Sequence, residues 1–258
     1  MRARPLLILA HPGHELLLHQ WLVERRPVVC VLTDGSGGAG QSRIHLTRRT
    51  LDACGARPGS IFGDAPDEVF YDAVLAGDVD YFLRLVGRIE ADVIKHGADL
   101  VVSDAVEHFN PIHDLCSVVA SLAALAASRR CCRPVSRCVF PIEMRPEGAG
   151  RALTARQLER KCEAIRRYDA LSSEAERFLI EKDALLAREH LDPSPAELLP
   201  APPGQPFYEA FGRKRVRQGR YVALIRYEAH VKPLVAALDR AVGRGKEARL
   251  EPAVVLSP

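Results

Sequence analysis

The sequence predicts an α/β fold: a Rossmann-like, mostly parallel sheet with helices on both faces and a C-terminal cap of helix and strand. Three observations predict it. Short apolar runs, Leu6-Leu7-Ile8-Leu9 and Leu100-Val101-Val102-Ser103 among them, have the length and composition of strands buried on both faces. Segments with apolar residues at helical spacing separate these runs. Their strict alternation from Pro5 to Phe140 fits right-handed βαβ crossovers.

The elements follow in order. Pro5–Ala10 reads as the first strand, and His14–Arg25 as a helix with Leu17, Leu18, Trp21 and Leu22 on one face. Val28–Thr33 is a second strand, ending in the turn Asp34-Gly35-Ser36-Gly37-Gly38. Arg43–Cys54 is helical, and Ser60–Gly63 a short strand. Asp78–His96 is a long amphipathic helix through Val79, Phe82, Leu83, Val86, Ile89 and Val93. Leu100–Ser103 is a strand, Asp114–Ser128 a helix and Val135–Phe140 a strand. Beyond them, Thr154–Tyr168 (Thr154 as N-cap) and Ser172–His190 read as helices. The prolines from Pro193 to Pro206 mark a loop, Arg220–Tyr227 a late strand and Val231–Val242 a last helix.

With 258 residues, 47% hydrophobic and 27% charged, the chain has the size and balance of one globular domain. No internal repeat and no second core are visible. Residues 1–258 therefore read as a single α/β domain, with 193–206 a Pro-rich loop and 207–258 a cap. A net charge of +3 gives no electrostatic footprint for nucleic acid, and Arg213-Lys214-Arg215 reads as solvated surface. The seven cysteines include no C-x-x-C pair and read as free thiols of a reducing cytosol, so a cytoplasmic location is expected. The N-terminal apolar run is too short for a signal peptide. No apolar stretch reads as a membrane span; Ala120 to Ala127 is a helix interior.

Chemistry gathers at two turns. Ala10-His11-Pro12-Gly13-His14-Glu15 follows the first strand, and Asn110-Pro111-Ile112-His113-Asp114 follows the strand at Leu100. Both lie at carboxyl ends of strands, where open α/β sheets bind ligands. His11, His14 and His113 converging there would form a metal site with an open position, the catalytic arrangement for zinc. His19, His45, His96, His190 and His230 carry no such context. The glycines Gly35, Gly37, Gly38 and Gly40 fit neither phosphate-loop pattern and read as a flexible rim. Arg43, just beyond, is placed to meet an anionic substrate group.

The order of these motifs resembles the LmbE-like, or PIG-L, family of zinc-dependent N-deacetylases. That family opens on Ala-His-Pro-Asp-Asp-Glu, which stands here as Ala10-His11-Pro12-Gly13-His14-Glu15. Its Thr-Asp-Gly turn matches Thr33-Asp34-Gly35, and its His-Pro-Asp-His signature corresponds to Asn110-Pro111-Ile112-His113. Lys161-Cys162-Glu163-Ala164-Ile165-Arg166-Arg167-Tyr168 is similar to a family helix, and Asp67 falls in an element resembling a Pro-Asp-Gly turn near the pocket, as a substrate contact. The resemblance implies Zn2+ held by His11, His14 (an aspartate in the family) and His113, with Glu15 supporting. It implies removal of an N-acyl, above all N-acetyl, group from a small amino-sugar-like molecule.

The family's base position is Gly13, and its second catalytic histidine and that residue's partner are Asn110 and Ile112. Asp34 and His108 are the candidates for a relocated acid or base, and Asn110 for an oxyanion donor. The same departures support a rival reading, a relative that binds a sugar or a partner without hydrolysis. Three imidazoles would also suit iron, a less favoured cofactor than zinc.

Overall fold

The computed structural model describes residues 4–37, 40–144, 150–168 and 186–243. Its central strands are β1 (Leu6–Leu9), β2 (Val28–Val31), β3 (Arg57–Phe62), β4 (Leu100–Asp104), β5 (Ser136–Phe140) and β8 (Asp192–Pro193). They form a six-stranded sheet in the order β3-β2-β1-β4-β5-β8. All neighbours run parallel except β8, which is antiparallel to β5 at the edge. A separate two-stranded ribbon joins β6 (Arg151–Ala152) to β7 (Arg188–Glu189). This is the expected α/β architecture.

Every residue of β1 and β2 is buried, because both faces of the sheet are covered. Alternation divides them. Leu6 and Ile8 face a core built with Phe82, Val86 and Ile89 of α4 (Val79–Lys95) and with α5 (Pro111–Cys131). Leu7 and Leu9 face the opposite core, with Trp21 and Leu22 of α1 (His19–Arg25) and Leu51 of α2 (Ile44–Cys54). The helix α4 begins where Asp78 accepts the Tyr81 N–H at 2.9 Å.

Among the described residues, α5 is the one helix long and apolar enough to cross a membrane, and it is mostly buried inside the fold. It is apolar on all sides because β1, β4, β5, α4 and α8 (Lys232–Val242) surround it. It starts three residues before the expected Asp114. Asn110 Oδ1 accepts the Ile112 N–H at 2.9 Å, and Pro111 occupies the first helical position. His113 is thereby fixed in the first turn of a core helix rather than in a loop.

Other expectations change. Arg220–Tyr227 is not a strand: the Arg226 N–H donates to His230 Nδ1 and the Tyr227 N–H to Glu209 Oε1. With these donors taken by side chains, the segment cannot offer them to a ladder, and it turns into a π-helical stretch at Tyr227–Val231. Most of the expected helix Ser172–His190 lies outside the described residues; its end, Arg188–Glu189, is β7. Two helices were not foreseen, α3 (Asp67–Ala76) and α7 (Phe207–Arg217). The helix α6 (Ala155–Arg166) carries the expected Thr154 cap, closed into a capping box with Gln157.

Candidate metal centre

The strand order reverses between β1 and β4, which makes their carboxyl ends the switch point of the sheet. The chain leaving β1 passes His11 and Pro12 to Gly13, whose φ of 105° is open to glycine, and enters a 3-10 turn at His14–Leu18. The chain leaving β4 passes His108 and Asn110 into α5. Two short strands and one helix start thus deliver three histidines to one crevice. The ring centroids lie 4.7 Å apart for His14 and His113, 5.3 Å for His11 and His113, and 5.5 Å for His11 and His14.

The hydrogen bonds fix two of the rings and their tautomers. The Thr33 hydroxyl donates its one proton to the Ala10 carbonyl at 3.0 Å, so at 2.8 Å it accepts from His11 Nδ1. Asp67 Oδ1 lies 3.2 Å from the same nitrogen. His11 Nδ1 therefore carries a proton, and its Nε2, on the crevice side, accepts from Asn110 Nδ2 at 3.4 Å. His14 Nδ1 lies 2.8 Å from Asp104 Oδ2, which also accepts the Ala10 N–H at 3.0 Å. Carboxylates behind imidazoles in this way are the usual support of ligating histidines.

His113 is 4% exposed, and its Nδ1 has no hydrogen-bond partner among the described residues. Burial, then the nearby His14 and His11, hold it well below the ordinary histidine range, in the neutral form that ligates. Asp104 ends β4, fully buried, with Oδ1 also unpartnered. Burial pushes it up to about 7 in the absence of a cation. His14, Asp104 and His113 offer ligand atoms within 4.8 Å of one another, with His11 beside them. Imidazoles, a carboxylate and two orphaned polar atoms are a donor set that fits a divalent cation.

Asp104 lies one residue beyond the expected strand Leu100–Ser103 and closes the observed one; nothing in its spacing made it a ligand. Asp67, expected as a substrate contact, is placed behind His11 and also accepts the Gly37 N–H at 2.8 Å. Burial alone would raise its pKa; the bond to His11 instead holds it well below the usual carboxylate range. Asn110 divides its amide, the oxygen capping α5 and the nitrogen facing His11.

Glu15 is fully buried and accepts the Gly13 N–H at 2.7 Å; burial pushes it up to about 7. Asp34 Oδ1 accepts the Ser36 N–H at 2.9 Å, within its own turn. The Arg43 Nε donates to the Gly35 carbonyl at 2.7 Å. A Cβ on Gly35 would stand 2.8 Å from Pro12, so the rim turn packs directly on the histidine loop. Gly38 lies outside the described residues. The His108 N–H donates to Asp114 Oδ1 at 3.0 Å, its Nδ1 lies 3.4 Å from Asp114 Oδ2, and its ring meets Tyr227 edge-on at 5.6 Å.

No family profile matches the chain, and no curated protein matches it. Solved structures do. One is the conserved protein TT1542 from Thermus thermophilus, at 15% identity and a TM-score of 0.52, covering 78% of this chain and 98% of that one. Another is a deacetylase of the teicoplanin biosynthesis pathway, at 14% identity and a TM-score of 0.51, covering 73% of this chain and 95% of that one.

Proposed function

Starting from the α/β fold shared with these two proteins, the fold that the LmbE-like resemblance implied, we propose that the chain is a zinc-dependent amidohydrolase. It removes an N-acyl group, above all acetyl, from a small sugar-like substrate. The observation that carries this reading is the convergence of His11, His14 and His113 at the switch point, with Asp67 and Asp104 behind two of them. The fold shared with a teicoplanin-pathway deacetylase supports the reaction class.

His14 and His113, with His11 or Asp104, would hold the zinc, which when bound polarises an amide carbonyl and acidifies water. The chain's own groups do the rest. Asn110 Nδ2, aimed into the crevice by the cap its oxygen makes, donates to the oxygen of the amide as charge develops there. Asp67 and Asp104 keep the protons of His11 and His14 on Nδ1. The leaving amine needs a proton, and His108, oriented by Asp114, is our carrier; Asp34 is the alternative.

The rival reading, a sugar- or partner-binding protein without turnover, is favoured by Gly13, which puts no side chain where the family has its base. One experiment separates the two. Metal is counted by elemental mass spectrometry in tag-free wild type, His14→Ala and His113→Ala, beside release of acetate from N-acetylated amino sugars. Near-stoichiometric zinc with turnover, both lost in the variants, supports the enzyme. Zinc without turnover across the panel supports the binding protein, and iron in place of zinc overturns the hydrolytic reading.

A further inference from the structure

The proline-rich loop, which the proposed reaction leaves without a part, lines an open cavity of about 830 Å³ on the C-terminal cap. Leu198 and Leu199 turn into the core and fasten the loop. Pro202 and Pro206 restrict its backbone, so this wall is preformed. Another wall is one face of α8, with Lys232, Val235, Ala236 and Asp239 at helical spacing. Glu209 of α7, with Tyr227 and Glu228 of the π-helical stretch, completes the lining. The volume is that of a small-molecule site.

The lining is acidic on a basic protein. Glu197, Glu209, Glu228 and Asp239 stand against Lys232, four carboxylates and one ammonium, in a chain whose net charge is +3. Lys232 shows what chemistry the cavity accepts. Its ammonium bonds the Glu228 carboxylate at 2.9 and 3.1 Å and lies 6.0 Å over the Tyr227 ring. Among the described residues, three ligating groups come within 4.8 Å of one another at the histidine centre and not here. These carboxylates are therefore spaced too widely to hold one metal ion together. Spaced acids with Leu198, Val235 and Ala236 between them match a ligand whose cationic groups are themselves spaced along an apolar chain.

We propose that this cavity binds a linear aliphatic polyamine, with ammonium groups on the spaced carboxylates and methylenes against the apolar wall. Tyr227 joins the cavity to the centre. Its ring meets His108 edge-on at 5.6 Å, and its N–H is held by Glu209, itself part of the lining. Occupancy would thus reach the proton carrier; that consequence rests on the function proposed above, while the binding does not.

The test is isothermal titration calorimetry of the full chain with spermidine, beside butylamine as the single-ammonium control. Wild type is compared with Glu197→Gln/Glu228→Gln, which removes two of the carboxylates, and with Ala236→Lys, which adds an ammonium on an exposed helix position. Each is checked for folding by circular dichroism. Wild type should take one spermidine per chain, at least about 10-fold more tightly than butylamine, and release it in high salt. Both variants should bind spermidine at least about 10-fold more weakly while still folded. No spermidine binding by wild type, or butylamine bound as tightly, would overturn the proposal. So would equal affinity in wild type and both variants, which would put the amine elsewhere on the protein. Binding needs no turnover, so a protein that takes spermidine but cleaves no N-acyl sugar keeps this site and loses the function.

Discussion

Replacing Lys161 by Met should weaken the fold at the turn that carries His14. Lys161 is 1% exposed; it donates to the Leu17 carbonyl at 2.6 Å and lies 3.7 Å from Glu189. Glu189 in turn accepts the N–H groups of Gln20 and Trp21 at 2.7 and 2.8 Å, capping α1. One buried pair thus clamps both ends of the joint between the 3-10 turn and α1. Removing only the cation leaves a buried carboxylate without its counter-charge, and such breaks cost about 3–5 kcal/mol. For a chain of this size that is a fall in Tm of about 6–20 °C. In Lys161→Met/Glu189→Gln the amide oxygen still accepts one of the Gln20 and Trp21 N–H groups, and no buried charge is left without its counter-charge. The double variant should regain about half of the loss. Thermal and urea unfolding of the two single variants and the double variant gives the coupling energy directly. Additive losses, with coupling below about 0.5 kcal/mol, would refute the clamp.

Two further outcomes follow. Asn110→Ala removes the α5 cap and should cost about 1 kcal/mol, a Tm fall of about 2–4 °C, whereas Asn110→Asp keeps an oxygen on the Ile112 N–H and should hold Tm while losing the donor to the crevice; identical melting of both would mean that the cap contributes nothing. Burial, reinforced by the charges of Lys161 and Arg160, lowers His19 from its ordinary 6.5 to about 4. Its folded value is the depressed one, so its contribution is intact above pH 6.5 and is lost as pH falls toward 4. That loss amounts to about 1–3 kcal/mol once solvent screening is allowed for. Urea melts of wild type and His19→Gln at pH 7 and pH 4.5 should therefore converge on acidification, and a constant gap would show that His19 protonates without penalty.

The sheet was legible because its strands are short, apolar and buried on both faces, a pattern that local sequence carries. The three histidines were legible because strand ends put them on one edge. What the sequence hid was set by partners far along the chain. Asp104 stands 90 residues from His14, and no local pattern announces their bond. Arg220–Tyr227 has a strand's composition, yet Glu209 and His230 take amides that a ladder would need. The helix α3 begins at Asp67, where Pro66 and the acids of its first turn read equally as a turn. Asn110 looked like the loss of a histidine; only the start of α5 shows the amide serving a cap and the crevice at once.

Whether this centre turns over substrate depends on protons more than on metal, and His108 is where that question is best put. Its φ of 55° is left-handed, a conformation that costs a non-glycine residue about 1–2 kcal/mol. Asp114 holds it there, accepting the N–H groups of Glu107 and His108 with Oδ1 and facing the imidazole with Oδ2. Backbone strain kept by so many bonds persists where a side chain must be aimed. Restoring an aspartate at Gly13 is a poorer probe, because φ of 105° would strain it whatever its chemistry. His108→Asn is the cleaner one, since asparagine tolerates left-handed backbone and removes only the imidazole. If His108 delivers the proton, turnover should fall at least about 100-fold and its pH profile lose one limb, with metal content and Tm unchanged. Full activity in that variant would assign the proton to Asp34 or to water, and the strain at His108 would then be structural alone.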